Sequence, residues 1–236
     1  MKLVLNRIHK NFGEKEVLKG ASYEFEPSKI YGLLGRNGSG KTTLLKAIYG
    51  EFEDYTGEVL LAEDAEDITR KLEQSEVGMI FSEPMIPEFL TGYEFIKFYI
   101  EAHGKEDIKI DELFQRLEFP LDDAKRLVKG YSSGMRAKIH IMALLISQPP
   151  VMLLDEPLTS LDVVAAAEIK KILMDFRKDH IIIMSTHIMQ LAKDMCDEIV
   201  LLKDGKLEGL EGLDRNAPEY EERIIAALTD KDGSHV

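Results

Sequence analysis

Apolar and polar residues alternate along the first thirty positions of the chain. The alternation runs through 1–8 (MKLVLNRI) and again through 17–25, and Asn11, Gly13 and Gly20 interrupt it. A period of two places the apolar side chains on one face of a β-strand, while glycine and asparagine favour turns. Residues 1–30 are therefore predicted to form a small antiparallel β subdomain.

From Lys29 onward the pattern changes to short runs that are apolar throughout. Such runs lie in the segments 30–34 (IYGLL), 151–154 (VMLL), 180–184 (HIIIM) and 198–202 (EIVLL), and helix-length stretches separate these segments. Strands with this composition are buried on both faces, as in parallel sheets covered by helices. The pattern predicts an α/β fold whose parallel-sheet core comprises residues 29–84 and 149–204.

Between 85 and 148 the apolar residues recur at helical spacing, for example at Tyr93, Ile96 and Ile100 and again at Leu113 and Leu117. No strand-like run occurs there, so we predict a helical subdomain inserted into the α/β core.

The last part of the chain has a different character. A turn-rich stretch with three glycines begins near 205, and a short amphipathic segment follows at 219–228. We expect one domain over 1–210 and a C-terminal tail over 211–236, to which the sequence assigns no role.

Composition and charge narrow the classes of function. The 236 residues are 44% hydrophobic and 31% charged, as in average globular proteins, and no apolar stretch approaches the 18 residues of a membrane span. No secretory signal is visible and Cys196 is the single cysteine, so we expect a cytoplasmic protein. The net charge of −13 disfavours nucleic acid as a partner.

One loop carries the strongest chemical signal. Residues 35–42 (GRNGSGKT) match the phosphate-binding pattern GxxxxGK followed by Ser or Thr, between a predicted strand and a predicted helix. Glycines let the backbone wrap an anion, Lys41 would reach the outer phosphates, and the Thr42 hydroxyl would ligate magnesium. The candidate nucleotide-binding residues here are Gly35, Arg36, Asn37, Gly38, Ser39, Gly40, Lys41, Thr42 and Thr43.

Two further strand ends supply the other half of such a site. Two acidic residues follow the run VMLL. Asp155 would hold the metal, and Glu156 could polarise the attacking water. The run IIIM leads to His187. Because the carboxyl ends of parallel strands meet at one edge of a sheet, these residues are predicted to lie near the loop.

Four motifs in this order resemble those of the ATP-binding cassette (ABC) family: GRNGSGKTT, YSSGM at 131–135, LLDEPLTSLD at 153–162 and STH at 185–187. The resemblance covers about residues 2–210 and implies a P-loop NTPase (RecA-like) core. It also implies that ATP and Mg²⁺ bind between two cassettes arranged head to tail. Ser132, Ser133 and Gly134 would then complete the partner's site, and Asp162 would communicate between the two sites.

The same resemblance assigns the remaining roles. Phe12 would stack on adenine with Val17 beside it, although a strand-end core position for Phe12 stays open. Lys41, Glu156 and His187 would be the catalytic residues, His187 as the switch histidine that touches the γ-phosphate. A hydrolytically competent site is expected.

The chain departs from the family pattern in three places. The usual Leu-Ser-Gly-Gly-Gln signature is YSSGM here, similar to that of many bacterial drug and peptide exporters. Where the family has a metal-binding glutamine this chain has Ser82 and Glu83, and Ser82 is our candidate magnesium ligand. Leu158 and Ser160 replace residues that are more often Thr and Gly or Ala.

The resemblance leads to one functional hypothesis with one alternative. The chain would be the ATP-hydrolysing subunit of a membrane exporter of peptide, drug or similar amphipathic cargo. It would lie on the inner face of the cell membrane and bind separate transmembrane subunits and a second cassette, identical or different. The alternative is a soluble ABC ATPase that drives assembly of another complex, such as the iron-sulfur cluster machinery. Segment 84–99 would be a groove for a partner helix or simply core packing.

Overall fold

The computed structural model describes residues 1–63, 68–82, 86–158, 161, 163–210 and 218–229. The strands are β1 (Lys2–Phe12), β2 (Lys15–Phe25), β3 (Lys29–Leu34), β4 (Thr56–Glu63), β5 (Ile68–Lys71), β6 (Val77–Ile80), β7 (Val151–Asp155), β8 (Ile181–Thr186), β9 (Glu198–Lys203) and β10 (Lys206–Gly209). The α-helices are α1 (Lys41–Tyr49), α2 (Gly92–Ala102), α3 (Ile110–Arg116), α4 (Leu121–Ala124), α5 (Ser133–Ser147), α6 (Val163–Phe176), α7 (Met189–Met195) and α8 (Pro218–Thr229).

The strands of the described residues form two sheets. An antiparallel sheet has the order β2-β1-β4-β5, and a six-stranded sheet has the order β10-β9-β3-β8-β7-β6. In the second sheet all neighbours are parallel except β10, which runs antiparallel to β9. The predicted fold class, an α/β P-loop NTPase core with an N-terminal antiparallel sheet and inserted helices, is confirmed.

The extent of the antiparallel sheet differs from the prediction. β4 and β5 lie within the segment 29–84 that the sequence placed in the α/β core, but β4 pairs with β1, with Leu61 opposite Leu3. Val59 and Leu61 are buried in the same cluster as Leu3 and Leu5. The paired residues of β1 and β4, from Lys2 with Ala62 to His9 with Thr56, lie far apart in the chain, and a local pattern does not report so distant a pairing.

Both faces of the six-stranded sheet are covered, which explains why its strands read as apolar throughout. One face packs against α1 and the antiparallel sheet, and Tyr31, Leu33 and Leu153 belong to that cluster. The other face packs against the inserted helices and α6, and Ile30 and Leu154 point there. Within the described residues, no helix has both the length and the apolar character that a membrane span requires.

The inserted helices α2 to α5 are held by specific polar contacts. At the start of α2 the Thr91 hydroxyl accepts a hydrogen bond from the Glu94 amide at 3.1 Å, and the Glu94 carboxylate accepts one from the Thr91 amide at 2.8 Å. This reciprocal cap stabilises the first turn of the helix. The hydroxyl of buried Tyr131 accepts from the Gly92 amide at 3.1 Å and donates to the Asp123 carbonyl at 2.8 Å. Tyr131 therefore joins α2, α4 and the start of α5.

The amphipathic segment predicted at 219–228 is the helix α8. Its apolar side chains Tyr220 and Ile224 are buried in a cluster with Leu34 of β3, Ala192 of α7 and Leu201 of β9. The helix α8 thus packs on the α/β core.

Candidate active site

The polar ends of three neighbouring strands converge at one edge of the parallel sheet. β3, β8 and β7 are adjacent, and they lead into the loop 35–40, into His187 and into Glu156 respectively. The loop connects β3 to α1. Gly38 and Gly40 have positive φ angles of 79° and 103°, which residues other than glycine rarely adopt. A Cβ on Gly40 would lie 2.8 Å from Val17 Cγ1, so Val17 packs against the loop.

The loop curls around the ammonium group of Lys41. This side chain is only 6% exposed, and its Nζ donates hydrogen bonds to the carbonyls of Gly35 at 3.0 Å and Arg36 at 3.4 Å. Its Nζ also lies 3.6 Å from Glu156 Oε1. A buried charge needs such partners, and a bound phosphate could take their place.

A chain of hydrogen bonds links the loop to the two acidic residues. Thr42 Oγ1 donates to Asp155 Oδ2 at 2.8 Å, and Ser185 Oγ donates to Asp155 Oδ1 at 2.7 Å. Ser185 Oγ also accepts the amide proton of Glu156 at 2.9 Å. Asp155 and Ser185 are buried, so this chain holds both acidic residues in place. The prediction omitted Ser185, although its place two residues before His187 at a strand end was a usable signal.

Glu156 occupies an unusual backbone conformation beside His187. Its φ angle is 48°, in the left-handed region that a glutamate adopts at a cost. The turn directs its carboxylate toward His187, whose Nδ1 lies 3.1 Å from Oε2 and 3.2 Å from Oε1. Glu156 thus lies between His187 and Lys41, and the three predicted catalytic residues are together.

A cavity of about 550 Å³ opens over the loop. Its lining residues are Phe12, Lys15, Val17, Asn37, Gly38, Gly40, Lys41, Thr42, Thr43 and Glu156. Phe12 is 49% exposed, so it is not a core residue. Its ring packs edge-on against Phe52, with centroids 5.7 Å apart, and Lys10 Nζ lies 4.7 Å from its centroid. The remaining predicted loop residues, Gly35, Arg36 and Ser39, belong to the same turn but do not line the cavity.

The residues at the loop fit a triphosphate. Within the described part of the chain, Ser39 Oγ is one of two buried side-chain polar atoms without a hydrogen-bond partner, and a phosphate oxygen would accept its proton. The α1 N-terminus and the Lys41 ammonium add positive potential at the same place.

The donor set also fits Mg²⁺. Thr42 and Asp155 bring a hydroxyl and a carboxylate oxygen together, and the described residues contain no group of three or more acidic, histidine or cysteine side chains placed to hold a metal. Mg²⁺ characteristically takes one or two protein oxygens and completes its shell with substrate phosphates and water. Ser82 lies two residues after β6, the neighbour of β7, and does not line the cavity. Its role as a ligand stays a prediction, and Glu83 lies outside the described residues.

The predicted signature residues lie apart from this cavity. Exposed Ser132 caps α5 and accepts a hydrogen bond from the Met135 amide at 3.3 Å. Ser133 begins the helix, and Gly134 faces α6, where a Cβ would lie 3.2 Å from Ala165 Cβ. None of the three lines the cavity. Asp162 lies outside the described residues.

The chain is similar in sequence to known ABC transporter proteins. The family model described as ABC transporter matches residues 18–159. An uncharacterized ABC transporter ATP-binding protein of Bacillus subtilis, YdbJ, is 31% identical, with 94% of this chain and 73% of that protein covered. A lantibiotic transport ATP-binding protein of Streptococcus pyogenes, SrtF, is 29% identical over 94% of this chain and 99% of its own length.

Solved structures share the fold. The ATP-binding subunit of an ABC transporter superposes with a TM-score of 0.75 at 21% identity, covering 98% of this chain and 96% of that one. A dimeric ATP-binding cassette in a post-hydrolysis state with ADP and Pi gives a TM-score of 0.71 at 22% identity, covering 89% and 100%.

Proposed function

Because the chain belongs to the ABC transporter family, in which it is an ATP-binding subunit and an ATPase, we propose that it powers an exporter of peptide, drug or similar amphipathic cargo. It would do so at the inner face of the cell membrane, bound to separate transmembrane subunits. The export of such cargo is supported by two relatives, the S. pyogenes lantibiotic transport protein and a Mycobacterium tuberculosis fluoroquinolones export protein. The latter is 30% identical over 82% of this chain and 64% of that protein.

One observation carries the hydrolytic part of the proposal: the hydrogen-bonded series Thr42, Asp155, Ser185 and Glu156 ends at His187 and borders the phosphate-binding loop. The series brings together the candidate metal ligands Thr42 and Asp155 and the candidate base Glu156. His187 lies next to this base and would orient it. Lys41, whose Nζ lies 3.6 Å from Glu156 Oε1, supplies the positive charge that the outer phosphates need.

The residues suggest the following division of labour. Glu156 accepts the proton of the water whose oxygen forms the bond to the γ-phosphorus, while the bond to the leaving ADP oxygen breaks. His187 orients the Glu156 carboxylate and contacts the γ-phosphate. Lys41 holds the outer phosphates, and Phe12 stacks on adenine with Val17 beside it. Thr42 and Asp155 would hold Mg²⁺, which supplies charge neutralisation at the phosphates when bound.

A second cassette would complete the site. Ser132, Ser133 and Gly134 lie at the N-terminus of α5, away from the cavity of their own chain. We propose that they contact the γ-phosphate bound to a partner cassette, in a head-to-tail dimer that closes on ATP, with Asp162 communicating between the two sites. The partner is an identical chain or a different one.

The test is the oligomeric state of Glu156→Gln, measured by size-exclusion chromatography with light scattering, with and without ATP and Mg²⁺. The substitution removes the base, so we expect an ATP-dependent dimer, and wild-type protein should hydrolyse ATP. Adding Ser132→Arg should abolish the dimer, whereas Ser75→Arg, at an exposed serine outside the signature, should preserve it.

An ATP-dependent dimer that persists with Ser132→Arg would contradict the head-to-tail arrangement. Affinity purification of the tagged chain from membranes tests the transporter role separately. Recovery of transmembrane subunits supports it, while recovery of soluble scaffold proteins instead would favour the assembly ATPase.

A further inference from the structure

The C-terminal helix α8 packs against the element that follows His187. We infer that α8 positions His187 against Glu156 by holding α7, so that Tyr220 and Ile224 are positioning residues for ATP hydrolysis. This inference rests on the catalytic roles of His187 and Glu156 proposed above.

The contacts begin with buried side chains. Tyr220 is 2% exposed and Ile224 is fully buried, and both belong to one cluster with Ala192 of α7. The cluster also includes Leu34, the last residue of β3 before the phosphate-binding loop, and Met189 packs against it. The tail helix therefore shares one buried cluster with α7 and with β9, to which Ile199 and Leu201 belong.

The position of α7 depends on such contacts. The helix has only seven residues, and isolated helices shorter than about 12 residues are marginal in water, so its packing largely determines its place. Ile188 is its N-cap residue, and the Ile188 amide donates to Thr186 Oγ1 at 3.1 Å. His187 therefore lies directly between the end of β8 and the start of α7, and a shift of α7 would move His187 with it.

An ion pair ties the two helices together a second time. Lys193 of α7 is paired with Glu221 of α8, and the lysine side chain is only 19% exposed. Because the ion pair links one position on each helix, it fixes how the two helices are aligned, which the apolar contact alone does not.

The consequence for catalysis follows from geometry. His187 Nδ1 lies 3.1 Å from Glu156 Oε2, and a displacement of about 1 Å in a catalytic group can reduce a rate by up to about 100-fold. ATP binding should be nearly unaffected, because Leu34 is held within the sheet by β8 and β9 on either side and Lys41 by the loop carbonyls. Loss of the α8 contact should thus lower kcat far more than ATP affinity.

The experiment compares two neighbouring isoleucines in the full-length chain. Ile224→Ala removes a fully buried side chain from the cluster that α8 shares with α7, whereas Ile225→Ala changes a side chain that is 50% exposed. Single-turnover ATP hydrolysis and ATP affinity are measured for both. We expect Ile224→Ala to lower the hydrolysis rate about tenfold with less than twofold change in affinity, and Ile225→Ala to match the wild type. Equal rates for all three proteins would overturn the inference.

The His187→Gln background separates positioning from a general loss of structure. If α8 acts through His187, Ile224→Ala should lower the single-turnover rate no further in that background. A further tenfold loss there would overturn the inference and indicate a structural effect. Wild-type protein that binds ATP without hydrolysing it would instead contradict the proposed function, before α8 is tested at all.

A second experiment tests the contact between α7 and α8 through the Lys193–Glu221 ion pair and leaves the buried cluster unchanged. Lys193→Glu and Glu221→Lys should each lower the rate, and the double exchange should restore it because the attraction is rebuilt with reversed signs. Single exchanges that both leave the rate unchanged, or a double exchange without rescue, would count against the pair as a positioning contact.

Discussion

The Ser185 hydroxyl links the carboxylate of Asp155 to the backbone amide of Glu156. It donates to Asp155 Oδ1 and accepts from the Glu156 amide, and the residue has no exposed surface. The hydrogen bond from the Glu156 amide holds the residue in its left-handed conformation, at a φ angle of 48°. Ser185 thus supports both metal binding and the direction of the base.

Ser185→Ala should lower the free energy of unfolding by about 1–3 kcal/mol and the ATPase rate by roughly tenfold, because the buried Asp155 carboxylate and the Glu156 amide each lose a hydrogen bond. Urea unfolding and steady-state hydrolysis measure the two effects. Ser147→Ala is the control, since the Ser147 hydroxyl donates to the Leu144 carbonyl of its own helix and hydrogen-bonds with Tyr99, away from the two acidic residues. A Ser185→Ala protein as stable and active as this control would contradict the role described.

His140 on α5 makes stability depend on pH. Its Nε2 is buried without a hydrogen-bond partner among the described residues, and burial lowers the pKa from 6.5 to about 4. The folded state therefore binds fewer protons than the unfolded state between these values. The stability that the neutral imidazole contributes is present above pH 6.5 and is lost as the pH falls toward 4.

We expect wild-type protein to lose about 2 kcal/mol more of its unfolding free energy than His140→Leu when the pH is lowered from 7 to 5. Urea unfolding at pH 7, 6 and 5 measures the difference. His103→Leu, at an exposed histidine, should retain the wild-type dependence. Parallel curves for wild type and His140→Leu would exclude this contribution.

At the scale of elements, Tyr131 anchors the start of α5 to the other inserted helices. Its ring is buried among the inserted helices, next to Phe119 at a centroid distance of 5.6 Å, and its hydroxyl contacts α2 and α4. The burial also raises the pKa of Tyr131. Tyrosine at this position therefore adds polar contacts that the more usual leucine of the family pattern lacks.

Tyr131→Phe should lower the free energy of unfolding by about 1–2 kcal/mol, because the buried Gly92 amide loses its acceptor. Thermal or urea unfolding measures the loss. In Tyr55→Phe the same atom is removed from a tyrosine whose hydroxyl makes no hydrogen bond within the described residues, and a change below about 0.5 kcal/mol is expected. Equal losses of unfolding free energy in both variants would show that the hydrogen bonds of the Tyr131 hydroxyl do not stabilise the fold.

The elements differ in how well a local pattern predicts them. The start of α2 could be predicted because its cap is a Thr-x-x-Glu pattern, and α8 because its apolar residues recur at helical spacing. The membership of β4 in the antiparallel sheet could not be predicted, since eight residues of strand pattern contain no information about the partner strand.

At the scale of the whole molecule, a ligand that binds only the folded state raises the stability of the entire chain. Mg-ATP at one hundred times its Kd should stabilise the protein by about 2.7 kcal/mol, or roughly 5–10 °C in Tm for a chain of this size. The Lys41 ammonium is the charge at the centre of the loop. Lys41→Ala should therefore abolish the ATP-dependent rise in Tm.

Differential scanning fluorimetry with and without Mg-ATP measures this rise. Lys46→Ala is the control on the same helix, because Lys46 pairs with Glu51 away from the loop, and it should keep the full rise. An undiminished rise in Lys41→Ala would mean that the nucleotide is not held by this loop.

The sequence by itself determined the local chemistry: the glycine-rich loop with Lys41 and Thr42, the acidic pair after a buried strand, and an α/β core. These features are encoded within short stretches, where the spacing of residue types is itself the physical requirement. Only the tertiary structure decided that Ser185 joins Asp155 to Glu156, that β4 completes the antiparallel sheet, and that α8 packs on α7. Each of these depends on contacts between residues far apart in the chain, and such contacts are selected by the packing of the whole fold rather than by any one segment.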